Sequence, residues 1–405
     1  MRRIGILTSG GDCQALNATM RGVAKSLYNM LDDVEIIGFE DGYKGLMYAD
    51  YQIMKPADFS GILTQGGTIL GTSRQPFKQM RVPDENGLDK VEAMKHTYKK
   101  LKLSCLVVLG GNGSQKTANM LSEEGLNVVS LPKTIDNDLA ATDHTPGYGS
   151  AAKYIGSITK EVIRDGLVYD QQNVTILEIM GRNAGWLTGA AALAKCEDCE
   201  GPDMIFLPEV TFDVDEFMHK VAELHKKKKS VVVAVSEGVK TADGRYVCEL
   251  TDGIEFVDAF GHKQLTGTAR FLAEKINREV GCKTRAIEFN SLQRCASHIV
   301  SRVDITEAYQ VGGAAVKEAF EGETGKMIIL KRVSDDPYIC VTDIYDVHKV
   351  ANVEKKVPRE WINEAGDYVT DEFVNYIRPL IQAELTPIMT DGLPRHLYYT
   401  DVEKK

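Results

Sequence analysis

The chain lacks any apolar run as long as a membrane helix, which needs about 18 to 20 successive apolar residues. It also lacks a surplus of positive charge, because 48 Lys and Arg stand against 58 Asp and Glu, a net charge of -10. These two shortages argue against a membrane protein and against nucleic acid as the main partner. Only 8 cysteines are scattered over 405 residues, which does not resemble a disulfide framework, so we expect a cytoplasmic protein.

The signatures of several enzyme classes are missing as well. The 8 histidines form no HExxH or HxH cluster, and neither a GxSxG elbow nor a Walker A motif occurs. The pair Cys196 and Cys199 has no second CxxC pair, so a zinc site is not expected there. The segment Gly147–Ala152 imitates a dinucleotide fingerprint, but no strand is predicted before it.

Short β-branched apolar runs alternate with longer helical patterns over a length that suits about two to three domains. This alternation predicts βα units around mainly parallel sheets, which is an α/β fold. A second α/β lobe is expected to begin near residue 150, and the tail has weaker alternation. The predicted strands are Ile4–Leu7, Val34–Ile37, Cys105–Leu109, Val128–Leu131, Val174–Ile179, Met204–Leu207 and Val231–Val235.

Three of these strands run into glycine. Gly10-Gly11 follows the first strand, Gly110-Gly111 follows the third, and Gly181 follows the Val174 run after Met180. Ligands of open α/β sheets bind beyond the carboxyl ends of the strands, so these turns predict one or more clefts there. The alternative is that each glycine only closes a tight turn.

Two segments carry the clearest chemistry. The turn Gly110–Ser114 precedes a helical pattern over about 115–121, so its amide groups suit a phosphate cradle, although a purely structural turn fits too. The segment Leu131–Asp138 contains a lysine, a hydroxyl and two carboxylates. One carboxylate can accept a proton from a hydroxyl, and the other can hold Mg²⁺. The alternative is an Asp/Asn-rich turn with helix caps.

Arginines accompany other glycine-rich or strand-end segments. Arg74 ends the loop GGTILGTSR, and Arg182 follows Met180-Gly181 at a strand end. Arg285 and Arg294 lie later in the chain. Arginine suits the clamping of a phosphoryl group, but most arginines are simply surface residues.

Taken together and in this order, the segments GGD, GGTxLGxxR, GGxGS, PKTIDND, MGR, SEG and QR resemble the 6-phosphofructokinase family. The resemblance covers roughly residues 1 to 330, and the tail is similar to extensions in branches that include pyrophosphate-dependent members. It implies two Rossmann-like lobes with mainly parallel sheets plus a C-terminal extension. The implied division is a donor-binding lobe over 1–147 with about 264–310, a sugar-phosphate lobe over 148–263, and C-terminal helices and extension over 311–405.

The resemblance implies transfer of a phosphoryl group to the 1-hydroxyl of fructose 6-phosphate, with Mg²⁺ assisting. Asp136 would be the general base with Thr134 beside it, and Arg74 and Arg182 would stabilise the moving group. The implied metal ligands are Asn112 and Asp138. The implied donor-binding residues are Gly11, Arg74, Gly111, Asn112, Gly113, Ser114 and Lys133. The implied sugar-binding residues are Thr134, Ile135, Asp136, Met180, Gly181, Arg182, Glu237, Arg285 and Arg294.

A homodimer or homotetramer is implied, with Arg285 reaching into a neighbour's acceptor site. The chain departs from the family pattern at four places. Cys13-Gln14-Ala15 replaces the usual Pro-Gly loop, and Asn112 replaces an aspartate, which leaves more of the Mg²⁺ binding to Asp138. Asn173 replaces an arginine and Ser291 an aromatic residue or histidine, and both positions fall near the expected 6-phosphate pocket.

The donor can be argued from Gly113 and Lys133. Within the family, glycine at the position of Gly113 goes with ATP, and pyrophosphate users carry aspartate there. Lys133 is typical of pyrophosphate users, and Thr117 stands where ATP users tend to have glycine. We weigh Gly113 more heavily and expect ATP, with pyrophosphate as the alternative. A non-catalytic sugar-phosphate-binding paralogue is the second alternative, and a nucleotide-linked dehydrogenase is the remote third.

Overall fold

A computed structural model describes residues 1–250, 265–350 and 353–395. The strands are β1 (Arg2–Ser9), β2 (Val34–Phe39), β3 (Tyr51–Met54), β4 (Cys105–Gly110), β5 (Val128–Pro132), β6 (Asn173–Ile179), β7 (Met204–Phe206), β8 (Ser230–Ser236), β9 (Lys283–Glu288), β10 (Lys326–Asp335), β11 (Tyr338–Asp346), β12 (Met389–Thr390) and β13 (Leu393–Pro394). All seven predicted strands are present, and β3 and β9 to β13 are additional.

The helices lie between the strands and cover the sheets. They are α1 (Leu16–Met30), α2 (Tyr43–Tyr48), α3 (Lys90–Lys100), α4 (Asn112–Glu123), α5 (Tyr148–Val168), α6 (Trp186–Gly189), α7 (Val214–Lys227), α8 (Thr268–Val280), α9 (Leu292–Cys295), α10 (Arg302–Glu321), α11 (Val347–Val350) and α12 (Asp371–Ile377). Among the described residues, none of these helices combines the length and the apolar character that crossing a bilayer requires.

The first sheet has the strand order β11-β10-β5-β4-β1-β2-β3. Its five central strands are parallel, and the two edge strands, β3 and β11, are antiparallel to their neighbours. The central strands β4 and β5 are buried along their whole length, as parallel strands covered on both faces must be.

The second sheet has the order β7-β8-β6-β9 and is entirely parallel. An α/β fold with mostly parallel sheets was predicted, and it is confirmed. The division into lobes stays a prediction. Its boundary at 263 and 264 and the end of the tail beyond residue 395 lie outside the described residues.

Helices α1 and α10 pack at unusually short range. A Cβ atom at Gly22 would lie 2.1 Å from the Tyr309 carbonyl oxygen, and one at Gly312 would lie 2.0 Å from the Thr19 carbonyl oxygen. Only glycine permits this approach of two backbones. Because α1 begins just after the glycine turn of β1, this contact fixes one wall of the region beyond the strand ends.

A buried carboxylate joins β6 to α8. Glu178 is 4% exposed, and its Oε2 atom accepts a hydrogen bond of 2.7 Å from the Ala269 amide in the first turn of α8. Burial raises the pKa of Glu178 to about 7, although the hydrogen bond from Ala269 opposes the shift. The fold therefore favours the protonated form of this side chain at mildly acidic pH.

This shift predicts how Glu178→Gln changes the pH dependence of stability. The folded-state pKa lies above the ordinary value of 4.5, so the contribution of Glu178 is fully present below pH 4.5 and is lost as the pH rises through about 7. From about pH 5 to about pH 8, the free energy of unfolding of the wild type should fall by about 2 kcal/mol relative to the neutral glutamine variant. Urea unfolding at both pH values measures this difference, and a constant difference would contradict the assignment.

Candidate active site

A cleft of about 450 Å³ lies beyond the carboxyl ends of strands from both sheets. Turns that follow β1, β4, β5, β6 and β8 each contribute to its wall. The lining residues are Ser9, Gly10, Gly11, Asp12, Arg74, Gln75, Gly111, Asn112, Gly113, Ser114, Lys133, Thr134, Ile135, Asp136, Asp138, Met180, Arg182, Glu237 and Arg294. The structure thus brings together most of the residues selected from the sequence, which lie as much as 283 positions apart, from Gly11 to Arg294.

Gly181 adjoins the cleft behind its lining. Its amide donates to Glu237 Oε1 at 3.4 Å, and its carbonyl oxygen accepts from the Ser236 hydroxyl at 2.7 Å. Its φ is 133°, and a Cβ there would lie 2.5 Å from the Ala184 carbonyl oxygen. The chain therefore needs glycine here to turn out of β6 and place Met180 and Arg182 in the cleft.

The amino end of α4 opens into the cleft. Gly111 precedes the helix in extended conformation, and the helix begins at Asn112. At Gly113, an ideal Cβ would have no heavy atom within 4 Å, so the space beside the first turn is open. Free amide groups and the helix dipole make such a helix start attractive to phosphate.

Lys133 connects the turn after β5 with the turn after β1. The side chain is 4% exposed, and Nζ donates a hydrogen bond to the Gly11 carbonyl oxygen. Burial lowers the pKa of Lys133, while the nearby carboxylates of Asp12 and Asp136 oppose that shift. A cation held below the glycine turns can neutralise phosphate charge without moving.

Three carboxyl groups line the cleft, and burial raises the pKa of each. Burial raises the pKa of Asp136, opposed by the positive charges of Lys133, Arg294 and Arg182. Burial and the neighbouring Asp136 raise the pKa of Asp138 to about 7 and that of Glu237 to about 8. A carboxylate with a raised pKa is a stronger base, which suits proton abstraction near neutral pH.

Thr134 holds the backbone at Asp136. Its hydroxyl accepts a hydrogen bond of 3.1 Å from the Asp136 amide, and its carbonyl oxygen accepts one of 2.7 Å from the Thr145 hydroxyl. Asn137 follows with a φ of 54°, in the left-handed region. The sequence places Asp136 and Asp138 on either side of this residue, and both line the cleft.

Two oxygen atoms in the cleft suit a hard cation. Asp12 Oδ1 and Asn112 Oδ1 are buried and have no hydrogen-bond partner among the described residues. Carboxylate and amide oxygens are the ligands that Mg²⁺ accepts, and Asp138 adds a third oxygen ligand to the lining of the same cleft. The residues present therefore fit Mg²⁺. Sequence reasoning selected Asn112 and Asp138 but missed Asp12, although the GGD motif contains it.

Three residues discussed from the sequence lie away from the cleft. Arg285 on β9 pairs with Asp165 at 2.5 Å and stacks over the Tyr169 ring at 4.9 Å. Its proposed reach into a neighbouring subunit stays a prediction. Asn173 is buried at the amino end of β6, where its Nδ2 donates to the Gly166 carbonyl oxygen at 3.0 Å, and Ser291 precedes α9.

A second cavity of about 1090 Å³ is larger but differs in character. It contains Cys196, whose amide and carbonyl groups pair with those of Cys199 at 2.9 and 3.2 Å in a short hairpin. Two of its lysines are already paired with carboxylates, Lys160 with Asp198 at 2.6 Å and Lys228 with Asp203 at 2.7 Å. Since the glycine turns and the convergent carboxylates lie in the smaller cleft, that cleft is the candidate active site.

Comparison with known proteins finds one family over most of the chain. The family model described as phosphofructokinase matches residues 3–319. The pyrophosphate–fructose 6-phosphate 1-phosphotransferase of Halomonas elongata is 34% identical over 399 residues, which is 96% of this chain and 93% of that protein. The ATP-dependent 6-phosphofructokinase of Spirochaeta thermophila is 39% identical over 340 residues, which is 82% of this chain and 87% of that protein.

A solved structure with the same fold is the pyrophosphate-dependent phosphofructokinase of Marinobacter aquaeolei. It superposes with a TM-score of 0.86 at 28% identity and covers 98% of this chain and 95% of its own. The corresponding enzyme of Nitrosospira multiformis also gives a TM-score of 0.86, at 30% identity. The family model spans most of the chain, and the two relatives match 96% and 82% of it. The chain therefore belongs to the phosphofructokinase family.

Proposed function

We propose that this protein transfers a phosphoryl group from ATP to the 1-hydroxyl of fructose 6-phosphate, which gives fructose 1,6-bisphosphate. The observation that carries the proposal is the position of Asp136. This buried carboxylate lies beside the positive charges of Lys133, Arg182 and Arg294, in a cleft that also contains an open helix start. A base, a set of cations and a phosphate cradle are the parts that phosphoryl transfer needs.

Asp136 accepts the proton of the attacking hydroxyl. Burial increases its basicity, and the hydrogen bond that its backbone amide donates to the Thr134 hydroxyl fixes its backbone at the cleft wall. Arg74 and Arg182 neutralise the charge that spreads over the transferring group, while the amino end of α4 holds the donor phosphates. Bound Mg²⁺, held by Asp12, Asn112 and Asp138, would supply further charge neutralisation to those phosphates.

The opposite wall binds the sugar phosphate. Met180 and Glu237 line it, and Arg294 supplies a positive charge for the 6-phosphate. Because the pKa of Glu237 is raised to about 8, its carboxyl group is largely protonated at neutral pH and can donate a hydrogen bond to a sugar hydroxyl. The test is direct: incubation with fructose 6-phosphate, ATP and Mg²⁺ should yield a bisphosphate with the new phosphate on carbon 1.

ATP is proposed as the donor because of Gly113. The open space beside its Cα leaves room for the donor next to the first turn of α4. Pyrophosphate is the second candidate, and two observations favour it. Lys133 lines the cleft, and relatives named as pyrophosphate-dependent enzymes, from Halomonas elongata and Xanthomonas campestris, match 96% and 97% of this chain.

A non-catalytic sugar-phosphate-binding paralogue is the remaining alternative. It would explain why Asn112, Asn173 and Ser291 stand where the family pattern has other residue types. It predicts binding of fructose 6-phosphate without turnover on either donor. Turnover with either one would exclude it.

The proposed metal ligands lead to a prediction for Asp12→Asn. Loss of one anionic oxygen should raise the Mg²⁺ concentration for half-maximal turnover by at least about 10-fold, because charge count governs the affinity for hard cations. Chelation of Mg²⁺ should abolish turnover of the wild type. Asp32→Asn, a change at an exposed position after α1, is the matched control and should leave the Mg²⁺ dependence unchanged. An identical Mg²⁺ dependence in Asp12→Asn would remove Asp12 from the metal site.

A further inference from the structure

The match to the family model ends at residue 319, yet later residues contact the loop that carries Asp136. We call residues 134–145 the Asp136 loop and residues 353–382 the C-terminal segment. The Lys355 amide donates to the Asp138 carbonyl oxygen at 2.8 Å, and Leu139 forms a β-bridge with Glu354. The C-terminal segment therefore runs alongside the Asp136 loop.

The Tyr376 hydroxyl joins three parts of this region. It accepts a hydrogen bond from Asn137 Nδ2 at 3.0 Å and one from Lys355 Nζ at 3.2 Å. It donates to the Asp143 carbonyl oxygen at 2.6 Å. One hydroxyl from the C-terminal segment thus connects the start of the Asp136 loop with its end.

Lys355 adds a second set of contacts. Its Nζ donates to the Asp143 carbonyl oxygen and lies 4.9 Å from the Trp186 ring centroid and 5.4 Å from that of Tyr376. The Trp186 indole donates to the Lys355 carbonyl oxygen at 2.9 Å. The two aromatic rings restrain the ammonium group of Lys355. Both this ammonium group and the Lys355 backbone therefore hold the loop in place.

Arg332 on β10 fixes Tyr376 itself. Its Nη2 donates to the Tyr376 carbonyl oxygen at 2.9 Å, and its guanidinium lies 4.6 Å from the ring centroid. Its Nε pairs with Asp143 Oδ1 at 3.1 Å. The support for the loop therefore extends from the first sheet through Arg332 to Tyr376.

The contacts of Tyr376 act on the Asp136 loop through Asn137. Asn137 lies between Asp136 and Asp138, is fully buried and has a φ of 54°, a left-handed conformation that non-glycine residues adopt infrequently. Its side chain makes two bonds, the one to Tyr376 and one from the Thr145 amide to its Oδ1 at 3.1 Å. Loss of either bond allows the backbone between the two carboxylates to relax.

We propose that Tyr376 and Lys355 are positioning residues, which hold Asp136 and Asp138 in working geometry through Asn137 and the loop backbone. The inference rests on the proposed function for the role of Asp136. It extends that function, because it makes a segment beyond the end of the family-model match part of the catalytic apparatus. A small displacement of a catalytic group is enough to cost a large part of the rate.

The test compares Tyr376→Phe with Tyr368→Phe. Both changes remove one hydroxyl from a partly buried tyrosine of the C-terminal segment, but the Tyr368 hydroxyl lies near Gly201 rather than near the loop. Tyr376→Phe should lower kcat on the order of 10-fold to 100-fold and change KM for fructose 6-phosphate little. Tyr368→Phe should leave both unchanged. Equal kcat values for the two variants would overturn the proposal.

Hydrogen–deuterium exchange supplies a readout that does not depend on turnover. Peptides that span residues 134–145 should exchange faster in Tyr376→Phe than in Tyr368→Phe, and equal exchange would also overturn the proposal. If the wild type showed no turnover but the exchange differed as expected, the proposed function would fail while the support of the loop stood. Asn137→Gly, which suits the left-handed backbone, serves if Tyr376→Phe does not fold. It should show the same loss of kcat, and a wild-type kcat would contradict the proposal.

Discussion

Asp136→Asn is expected to lower kcat by about 10² to 10⁴-fold, the usual contribution of a general base. The amide has nearly the volume of the carboxylate but cannot accept the proton of the 1-hydroxyl. The effect should fall on kcat rather than on binding, because Arg294 and the sugar-binding wall are unchanged. Steady-state kinetics with fructose 6-phosphate and both donors measures the change.

Calorimetric titration with fructose 6-phosphate is the control for this variant. The dissociation constant should stay within a few-fold of the wild-type value, and thermal unfolding should confirm that the fold is intact. Burial outweighs the positive charges of Lys133, Arg294 and Arg182 in setting the pKa of Asp136, so the neutral amide should not lower the stability of the fold at neutral pH. If the variant retained most of its turnover, the general-base assignment would be wrong.

Gly113→Asp is expected to lower turnover with ATP on the order of 100-fold and to preserve or increase turnover with pyrophosphate. The new carboxylate would lie in the open space beside the first turn of α4, where it repels the additional phosphate of the nucleotide. The two like charges would lie a few ångströms apart. Even with partial screening by solvent, their repulsion is large enough for an effect of about this size.

Gly113→Ala is the matched control, since a methyl group meets no heavy atom within 4 Å there. It should fold normally and keep most of its ATP turnover, which separates the effect of charge from the effect of bulk. The measured quantity is the ratio of kcat/KM for the two donors. An unchanged ratio in Gly113→Asp would show that this position does not select the donor.

The strands that could be predicted are the apolar ones. Five of the seven predicted segments are buried at every position, because the central strands of covered parallel sheets require continuous apolar runs. The other two, Val34–Ile37 and Met204–Leu207, are partly buried. Of the strands that were missed, β3, β9 and β11 lie at sheet edges, β10 lies next to an edge, and β12 and β13 form a separate pair. β9 has the sequence KTRAIE with no fully buried residue, and β3 is exposed at three of its four positions. Nothing local distinguishes such segments from loops.

The candidate site could be predicted to a large extent because its residues share one topological position. Turns after parallel strands meet at one edge, so Gly11, Gly113, Asp136 and Arg182 converge although they are distant in sequence. Asp12 was missed because an aspartate after two glycines is also an ordinary turn residue. Only the buried Asp12 Oδ1, which has no hydrogen-bond partner among the described residues, distinguishes a metal ligand from a turn residue.

The support behind the Asp136 loop could not be predicted. The tail has weak alternation, yet β10 pairs with β5, and Tyr376 bonds with Asn137 across 239 positions of sequence. No local pattern marks Tyr376, Lys355 or Arg332 as partners of that loop. Contacts of this kind depend on the packed tertiary structure, which periodicity and turn chemistry do not describe.

The most direct test of the account is turnover of fructose 6-phosphate with Mg²⁺ and either ATP or pyrophosphate, in parallel, with the Asp136→Asn protein as the blank. The account predicts formation of fructose 1,6-bisphosphate with ATP and almost none in the blank. Turnover with pyrophosphate alone would preserve the site and its general base but contradict the donor assignment from Gly113. No turnover with either donor would contradict the central claim that this cleft performs phosphoryl transfer to fructose 6-phosphate.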